Sequence, residues 1–148
     1  MIIAIDPGTT ETAFVQWDGE KLYEASIKDN EEFRRFLRVR ARPFSIAVEM
    51  VACYGMPVGA EVFETCLQIG RIQEIACDRS IDCRLIYRKN VKMHHCNSMK
   101  AKDSNIRQAL IDKYGEPGTK NNPGRTYGLK SHLWAAFAIA TYITETQA

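Results

Sequence analysis

The stretch that decides the fold of this chain is Ile2-Ile3-Ala4-Ile5-Asp6-Pro7-Gly8-Thr9-Thr10. Its aliphatic run is too short for a helix and is stopped by Pro7 and Gly8, so the pattern predicts a buried strand followed by a tight turn. Asp6 then lies where the strand ends, and its carboxylate can face a ligand from a rigid backbone. The alternative is that Asp6 only hydrogen-bonds the turn, as aspartates in turns often do.

Two groups of proteins open with a segment of this kind. Actin-like and sugar-kinase ATPases use an Asp-x-Gly-Thr-Thr turn to hold phosphate and magnesium, whereas nucleases of the RNase H-like superfamily use the aspartate of the strand to bind a catalytic metal. An actin-like ATPase needs two such lobes around its nucleotide, and 148 residues is the size of one domain. The length therefore favours the nuclease and leaves the ATPase as the weaker alternative.

The composition predicts an ordinary folded domain. Hydrophobic residues make up 45% of the chain and charged residues 26%, and no apolar run is long enough to cross a membrane. The sequence enters its first strand without a basic leader or a cleavage site, so we expect a cytoplasmic protein, in the host cytoplasm if a phage encodes it. The odd number of cysteines and the lack of a Cys-x-x-Cys pair support neither a disulfide framework nor a zinc ribbon.

The periodicity of the apolar residues predicts one α/β domain over residues 1–148. Asp18 and Gly19 separate two alternating segments, which is a strong hairpin signal, so we expect the first three strands to form an antiparallel meander. The predicted strands are 2–6, 11–17, 22–27, 44–50 and 81–87. The predicted helices are 30–40, capped by Asn30, and then 58–79, 102–114 and 129–144.

Glu49 is the second candidate for a site residue. It lies in the apolar strand predicted over residues 44–50, and an ionised carboxylate is rarely buried without a partner or a metal. The strand, helix and strand that follow Asp6 would place Glu49 beside the first strand, where two carboxylates at adjacent strand ends can share cations. An exposed strand end or pairing with one arginine would also account for Glu49.

The order of these elements and several short motifs resemble the RuvC-type Holliday junction resolvases of the RNase H-like superfamily, in the branch carried by phages and related mobile elements. The motifs that carry the resemblance, over nearly the whole chain, are Ile5-Asp6-Pro7-Gly8, Val48-Glu49, Val91-Lys92, Lys100-Ala101-Lys102-Asp103-Ser104-Asn105-Ile106 and Ser131-His132-Leu133-Trp134-Ala135-Ala136. The resemblance implies a mixed five-stranded sheet, with three antiparallel strands and then parallel ones, flanked by helices on both faces. It also implies a homodimeric endonuclease that makes paired, symmetric nicks in four-way or branched DNA.

The family's mechanism implies a metal site that contains both carboxylates. Asp6 would bridge two cations, Glu49 would bind one, and the start of the last helix would supply further ligands. Mg²⁺ is the implied cofactor, with Mn²⁺ as a substitute, because two such ions ~3.5 to 4 Å apart can clamp the attacking and leaving oxygens of a phosphodiester.

The start of the last helix departs from the best-known members, which carry two aspartates three residues apart. This chain has His132 and Ala135 there. His132 is a candidate metal ligand or general base, and the plain alternative is a polar residue at a helix end. The missing carboxylate at Ala135 has three explanations: the branch does without it, another acid replaces it, or the position was altered. Asp103 is the candidate replacement, although an aspartate at a helix start is also a favoured N-cap.

Basic residues are concentrated in segment 84–107, which we expect to face DNA phosphates. The family's lysines beside the scissile phosphate correspond to Lys92 and to Lys100 or Lys102, and Arg107 belongs to the same segment. His94 and His95 lie there too, but adjacent histidines lack normal zinc-ligand spacing. A second group of basic residues is consistent with a solvated helix face and consists of Arg34, Arg35, Arg38, Arg40 and Arg42.

Other functions stay open on the sequence alone. A nuclease of the same fold can act on structured RNA or flaps, and a non-catalytic relative can bind nucleic acid or, like actin, ATP. The loop 51–57 carries Tyr54 and Met56, apolar residues that would contact either unstacked bases or a partner subunit.

Overall fold

The described residues of the computed structural model, 1–41 and 43–147, form five strands and five helices in the order strand, strand, strand, helix, strand, helix, strand, helix, helix and helix. The strands are β1 (Ile2–Pro7), β2 (Glu11–Trp17), β3 (Leu22–Asp29), β4 (Ser45–Met50) and β5 (Cys83–Tyr87). The helices are α1 (Asn30–Val39), α2 (Ala60–Asp78), α3 (Arg88–Cys96), α4 (Asp103–Tyr114) and α5 (Leu133–Thr146). The sheet has the order β3-β2-β1-β4-β5, in which β1 pairs antiparallel with β2 and parallel with β4. The predicted mixed sheet is confirmed.

The alternation of side chains along β1 divides the apolar core in two, because successive residues of a strand point to opposite faces. Ile3 and Ile5 belong to a buried cluster that includes residues of α1 and α2. Ile2 and Ala4 belong to a second cluster, with residues of α3, α4 and α5. The helices therefore cover both faces, as predicted. Asp6 continues the second series, which places its carboxylate on the face covered by α5.

Helix α5 is the central element of that second face. Its Phe137 is fully buried and packs edge-on against Trp17 of β2, with ring centroids 5.1 Å apart. The helix begins at Leu133, four residues later than predicted. Ser131 has a φ of 48°, in the left-handed region, and a right-handed helix cannot run through such a residue.

The first helix is capped by a different residue from the one predicted. The Asp29 carboxylate accepts hydrogen bonds from the backbone N–H groups of Glu31 and Glu32, at 2.9 and 3.3 Å, and is the N-cap of α1. The Asn30 side chain instead donates to the carbonyls of Gly8 and Thr9, both at 3.0 Å. Asn30 thus ties down the turn that follows Asp6.

Helix α3 is absent from the sequence prediction. Val91 is its buried residue, so a periodic apolar stripe, which is the main signal of a helix, is missing from its sequence. In the second arginine group, Arg34 donates to the buried Gln68 at 2.6 Å and Arg40 contacts the buried Gln16, so this surface is more than a solvated face. Arg42 lies outside the described residues. Within those residues no helix combines the length and apolarity that a membrane crossing requires.

Candidate active site

Asp6 and Glu49 lie side by side at the ends of two parallel strands. Ile5 is paired with Val48 in the register of β1 and β4, and each carboxylate follows directly after its member of that pair. Ala4 and Ala47, two residues earlier on each strand, lie in the core on the α5 face, so both carboxylates point to that face. The predicted pairing of two strand-end carboxylates therefore agrees with the register.

Burial and charge both act on the Asp6 carboxylate. Desolvation is the largest cause of a rise in its pKa to about 6, and the negative charge of Glu49 raises the pKa further. His132 and Arg88 act in the opposite direction, because each favours the ionised form. Two carboxylates that resist ionising together are a site where added positive charge is favourable.

His132 contacts Asp6 directly. It is the N-cap residue of α5, and its Nδ1 lies 2.9 Å from Oδ2 of Asp6. Its side chain is 75% exposed, so the other side of the ring faces the solvent-filled cleft described below. The preceding residue, Ser131, has the left-handed φ that ends the incoming loop. A loop residue with an unfavourable backbone conformation thus sets the place of the imidazole at the strand ends.

Arg88 was not singled out as a site residue by the sequence. It is the first residue of α3, directly after β5, and its Nη1 donates to Oε1 of Glu49 at 3.0 Å. Its Nη2 contacts Oδ1 of Asp103 at the start of α4. The signal that could have found Arg88 is its position at the end of the strand next to the one that carries Glu49.

Asp103 is not the N-cap of α4. The N-cap is Lys102, whose backbone N–H donates a hydrogen bond to Oδ1 of Asn105 at 2.8 Å. The Asp103 carboxylate faces Arg88 instead. Of the two roles that the sequence left open, the structure therefore removes the capping role, and Asp103 brings a third carboxylate to this region.

These side chains line a cleft of about 600 Å³. Both polar and apolar side chains line the cleft. The lining residues are Asp6, Glu49, Arg88, Val91, Asp103, Ser104, Ile106, Arg107, Ser131, His132, Trp134, Ala135, Ala138 and Ile139. Arg107 lies over the ring of Trp134, 5.0 Å from its centroid. Ala135 is part of the wall, so the expected second carboxylate of α5 would have pointed into the same cleft.

A second hollow of about 290 Å³ lies on the other side of the Asp6 and His132 pair. It is lined by the β1–β2 turn, including Gly8, Thr9 and Thr10, and it shares Asp6, Ser131 and His132 with the larger cleft. The pair therefore forms the ridge between two hollows.

The predicted DNA-contacting residues divide into two groups. Arg107 lines the cleft. Lys92 is half-buried on α3, and Lys100 and Lys102 are exposed before α4. Within the described residues, these three lysines are not among those that line the cleft; Lys92 shares α3 with Arg88, and Lys100 and Lys102 precede Asp103.

His94 and His95 form a cluster with Glu145 of α5. His94 Nε2 lies 2.7 Å from Glu145 Oε2, and His95 Nε2 lies 2.9 Å from the carbonyl of Ala138. Burial opposes the charge of Glu145, but hydrogen bonds from Lys113, Tyr114 and His94 bring its pKa down to about 2. The Lys113 ammonium already occupies Oε2 at 2.8 Å, so this cluster acts as a clamp that joins α3, α4 and α5.

Among the described residues, the ligand atoms of His94, His95 and Glu145 lie within 4.8 Å of one another, close enough to share a cation. Asp6, Glu49 and His132 also carry atom types that bind divalent metals, and their role as ligands stays a prediction. Carboxylate oxygens suit Mg²⁺ and Mn²⁺, and imidazole nitrogen suits the second of these better than the first. Burial first and the charge of Glu49 second raise the pKa of Asp6, so an added positive charge beside this carboxylate would favour its ionised form. Asp103 adds a carboxylate to the lining of the same cleft.

Comparison with known proteins gives structural relatives but no sequence relatives. No family model and no curated protein sequence matches the chain. A structure of T. thermophilus RuvC in complex with a Holliday junction substrate superposes with a TM-score of 0.70 at 18% identity, covering 95% of this chain and 90% of that one. A second Thermus thermophilus RuvC structure gives a TM-score of 0.65 at 20% identity, covering 95% and 91%. The chain therefore has the RuvC-type RNase H-like fold that its motifs implied, over nearly its whole length.

Proposed function

We propose that this protein is a metal-dependent, structure-selective endonuclease that resolves Holliday junctions and related branched DNA. The observation that carries the proposal is the pairing of Asp6 and Glu49 at adjacent strand ends, with His132 in contact with Asp6, inside a cleft. A protein of the same fold, T. thermophilus RuvC, has been solved with a Holliday junction substrate. The phage origin that the motifs implied remains a sequence-based expectation.

The chemistry required is hydrolysis of a phosphodiester. Asp6 and Glu49 would hold Mg²⁺ or Mn²⁺, as two ions in the family's manner and with His132 as a candidate further ligand, and such ions lower the pKa of water and neutralise charge on the phosphate. The Asp6 carboxylate accepts a hydrogen bond from Nδ1 of His132 and so orients the ring. Because Nδ1 carries the proton donated to Asp6, the ring's one lone pair is on Nε2, which would serve either as a metal ligand or as the base that takes a proton from an attacking water. Asp103 would serve as the acid that replaces the one missing at Ala135.

Binding of the polyanion falls to the basic surface around the cleft. Arg107 lies on the cleft wall, and Lys92, Lys100 and Lys102 lie outside it on α3 and before α4. Contacts of these groups with phosphates provide affinity without base readout, which suits a target defined by its branched shape.

Paired nicks require two active sites, and α2 offers a surface for a homodimer. Phe63 and Leu67, one turn apart, are 63% and 60% exposed. Gly70 continues the same stripe, and a Cβ placed on it would meet no neighbouring atom within 4 Å among the described residues. Large exposed apolar side chains beside an open glycine suit close packing of a second helix. Tyr54 and Met56 extend this apolar surface into the loop before α2.

The decisive experiment compares the wild-type protein with Asp6→Asn on synthetic four-way, three-way and linear duplex DNA in Mg²⁺. We expect the wild type to nick the four-way junction at symmetric positions and Asp6→Asn to lose at least about 10³-fold in rate, because a ligand and the partner of His132 are altered together. Equal cutting of all substrates, or of structured RNA, would favour the broader nuclease. ATP hydrolysis without nicking would favour an ATP-binding relative, and an active Asp6→Asn protein would refute the site. We expect the activity in the cytoplasm.

A further inference from the structure

Arg88 bridges two carboxylates that come from separate elements. Its guanidinium reaches from the first turn of α3 to Glu49 on β4 at 3.0 Å and to Asp103 at the start of α4. A basic residue inside an acid cluster is an unusual arrangement for a site that is expected to hold cations. Its position needs an explanation beyond general DNA affinity.

The two partners of Arg88 differ in their environment. The Glu49 side chain is 14% exposed, so its charge is poorly solvated and gains from a nearby cation. The Asp103 side chain is 81% exposed, so water can replace Arg88 there at little cost. The Arg88 side chain itself is 33% exposed and lines the cleft. The contact of Arg88 with Glu49 is therefore firm, and its contact with Asp103 is readily exchanged for water.

The guanidinium is also suited to a second type of partner. Its planar, forked donors match the oxygens of a phosphate as well as those of a carboxylate, and its charge does not depend on pH in the range where proteins fold. A divalent cation on Asp6 and Glu49 would compete with Arg88 for Oε1 of Glu49, because like charges at one carboxylate oxygen repel. The wall of the cleft then keeps Arg88 close to any phosphate held at the acids.

We infer that Arg88 is a displaceable counter-ion of this site and a phosphate-contacting residue for its substrate. In the absence of substrate it neutralises Glu49; when a divalent cation takes that carboxylate, the guanidinium moves to a phosphate oxygen of the nucleic acid. This inference rests on the proposed function for the identity of the phosphate. The competition for Glu49 does not depend on it.

The competition is tested on the protein without DNA. Mn²⁺ is titrated into wild type, Arg88→Gln and the control Arg35→Gln, with binding followed by the paramagnetic signal of unbound Mn²⁺. Arg35 belongs to an exposed ion pair with Glu31 on α1, which covers the other face of the sheet. We expect Arg88→Gln to bind Mn²⁺ about fivefold more tightly than wild type, since the ion pair with the largely buried Glu49 no longer opposes the metal. Arg35→Gln should match wild type.

The phosphate contact is tested by binding of a four-way junction in Ca²⁺ over a series of salt concentrations. We expect Arg88→Gln to bind about tenfold more weakly, with a salt dependence shallower by about one phosphate contact. Arg88→Lys keeps the positive charge but loses the paired N–H donors of the guanidinium. It should therefore retain the salt dependence of binding and lose part of the affinity. It also provides a conservative variant if Arg88→Gln melts below the wild type.

Unchanged or weaker Mn²⁺ binding by Arg88→Gln would overturn the inference, and so would an unaltered salt slope for the same variant. Arg88 would then be a strut between β4 and α4. A wild-type protein that bound Mn²⁺ and junction DNA as expected but never cut it would refute the proposed nuclease while leaving the role of Arg88 intact. The two failures are therefore distinguishable.

Discussion

His132 Nδ1 lies 2.9 Å from Oδ2 of Asp6, and this contact joins the first strand of the chain to its last helix. An ionised Asp6 accepts the hydrogen of Nδ1, so a neutral ring keeps its lone pair on Nε2. The carboxylate is mostly buried, whereas the ring is mostly exposed. A buried acid thus orients an exposed base, and each group can be tested through a different property.

Asp6→Asn is expected to stabilise the folded protein above pH 6. Burial and Glu49 raise the pKa of Asp6 from 3.8 to about 6, so the folded state holds this proton more tightly than the unfolded state. Its stabilising contribution is complete below pH 4 and is lost as the pH rises through 6. Asparagine has no charge to bury, so we expect a gain of roughly 1 to 2 kcal/mol at pH 7.5 and none near pH 4. Urea unfolding at several pH values measures this.

The control for that series is Asp112→Asn, an exposed aspartate on α4. Asp112→Asn should change the free energy of unfolding by the same small amount at each pH. A gain for Asp6→Asn that did not change with pH would contradict the raised pKa. Adding Mg²⁺ should stabilise the wild type more than Asp6→Asn at pH 7.5, because the cation binds the ionised carboxylate.

His132→Ala is expected to slow junction cutting by about 10² and to change the ratio of rates in Mn²⁺ and Mg²⁺. Loss of either role of Nε2 would slow the reaction, and the change in ratio is the result that identifies a softer nitrogen ligand rather than a general base. Initial rates with each metal measure both effects. His94→Gln removes a histidine outside the cleft and should keep the wild-type ratio. Unchanged rates of His132→Ala in both metals would exclude it from the reaction.

Ser131→Val is expected to slow cutting and to destabilise the protein by about 1 to 2 kcal/mol. Ser131 has a φ of 48°, which a β-branched residue adopts only under strain, and relief of that strain would move the adjacent His132. Ser131→Gly tolerates the conformation and should keep near wild-type stability and rate. Chemical denaturation and cutting rates measure both changes.

Ser80 provides the matched control, because it has a φ of 50° but follows α2, away from the cleft. Ser80→Val should lose similar stability and still cut at the wild-type rate per folded molecule. If both valine variants cut equally well, the backbone at Ser131 does not position His132.

The sheet and the strand-end positions of its two carboxylates could be predicted, because the pattern of apolar residues identifies each strand and where it ends. A strand, helix and strand after Asp6 bring Glu49 alongside it, and the observed register of Ile5 with Val48 does so. Arg88 could not be found in this way. Its contacts depend on how α3 and α4 pack, and α3 has too few buried residues to show a helical period.

Asp103 shows a different limit of the sequence. An aspartate at a helix start is a strong N-cap signal, and the same residue is a plausible acid for a site. The side chain of Asn105 satisfies the Lys102 backbone instead, which leaves the Asp103 carboxylate for Arg88. Whether Asp103 caps α4 or contacts Arg88 depends on tertiary packing, so helix-capping propensity alone cannot settle it.

Lys92→Gln and Lys102→Gln are each expected to weaken junction binding and to make its salt dependence shallower by about one phosphate contact. Lys92 lies on α3 and Lys102 is the N-cap of α4, the two helices that carry Arg88 and Asp103. Fluorescence anisotropy over a range of salt concentrations measures the slope. Lys21→Gln, at the exposed hairpin between β2 and β3, should leave the slope unaltered. A wild-type slope for both Lys92→Gln and Lys102→Gln would place the DNA on another surface.

Phe63→Glu is expected to convert a dimer into monomers. Phe63 and Leu67 expose their apolar side chains on α2, and a carboxylate buried at the centre of such an interface weakens association by 2 kcal/mol or more, about 30-fold. Sedimentation at several concentrations measures the change. Val39→Glu is the matched control, because Val39 is 82% exposed at the end of α1 and lies outside this surface.

On a plasmid with an extruded cruciform, the wild type should yield linear product, since two sites act on one junction. The Phe63→Glu monomer keeps its own Asp6, Glu49 and His132, so it should accumulate nicked circles. Linear product at the wild-type rate from a monomeric variant would separate paired cutting from dimer formation through α2.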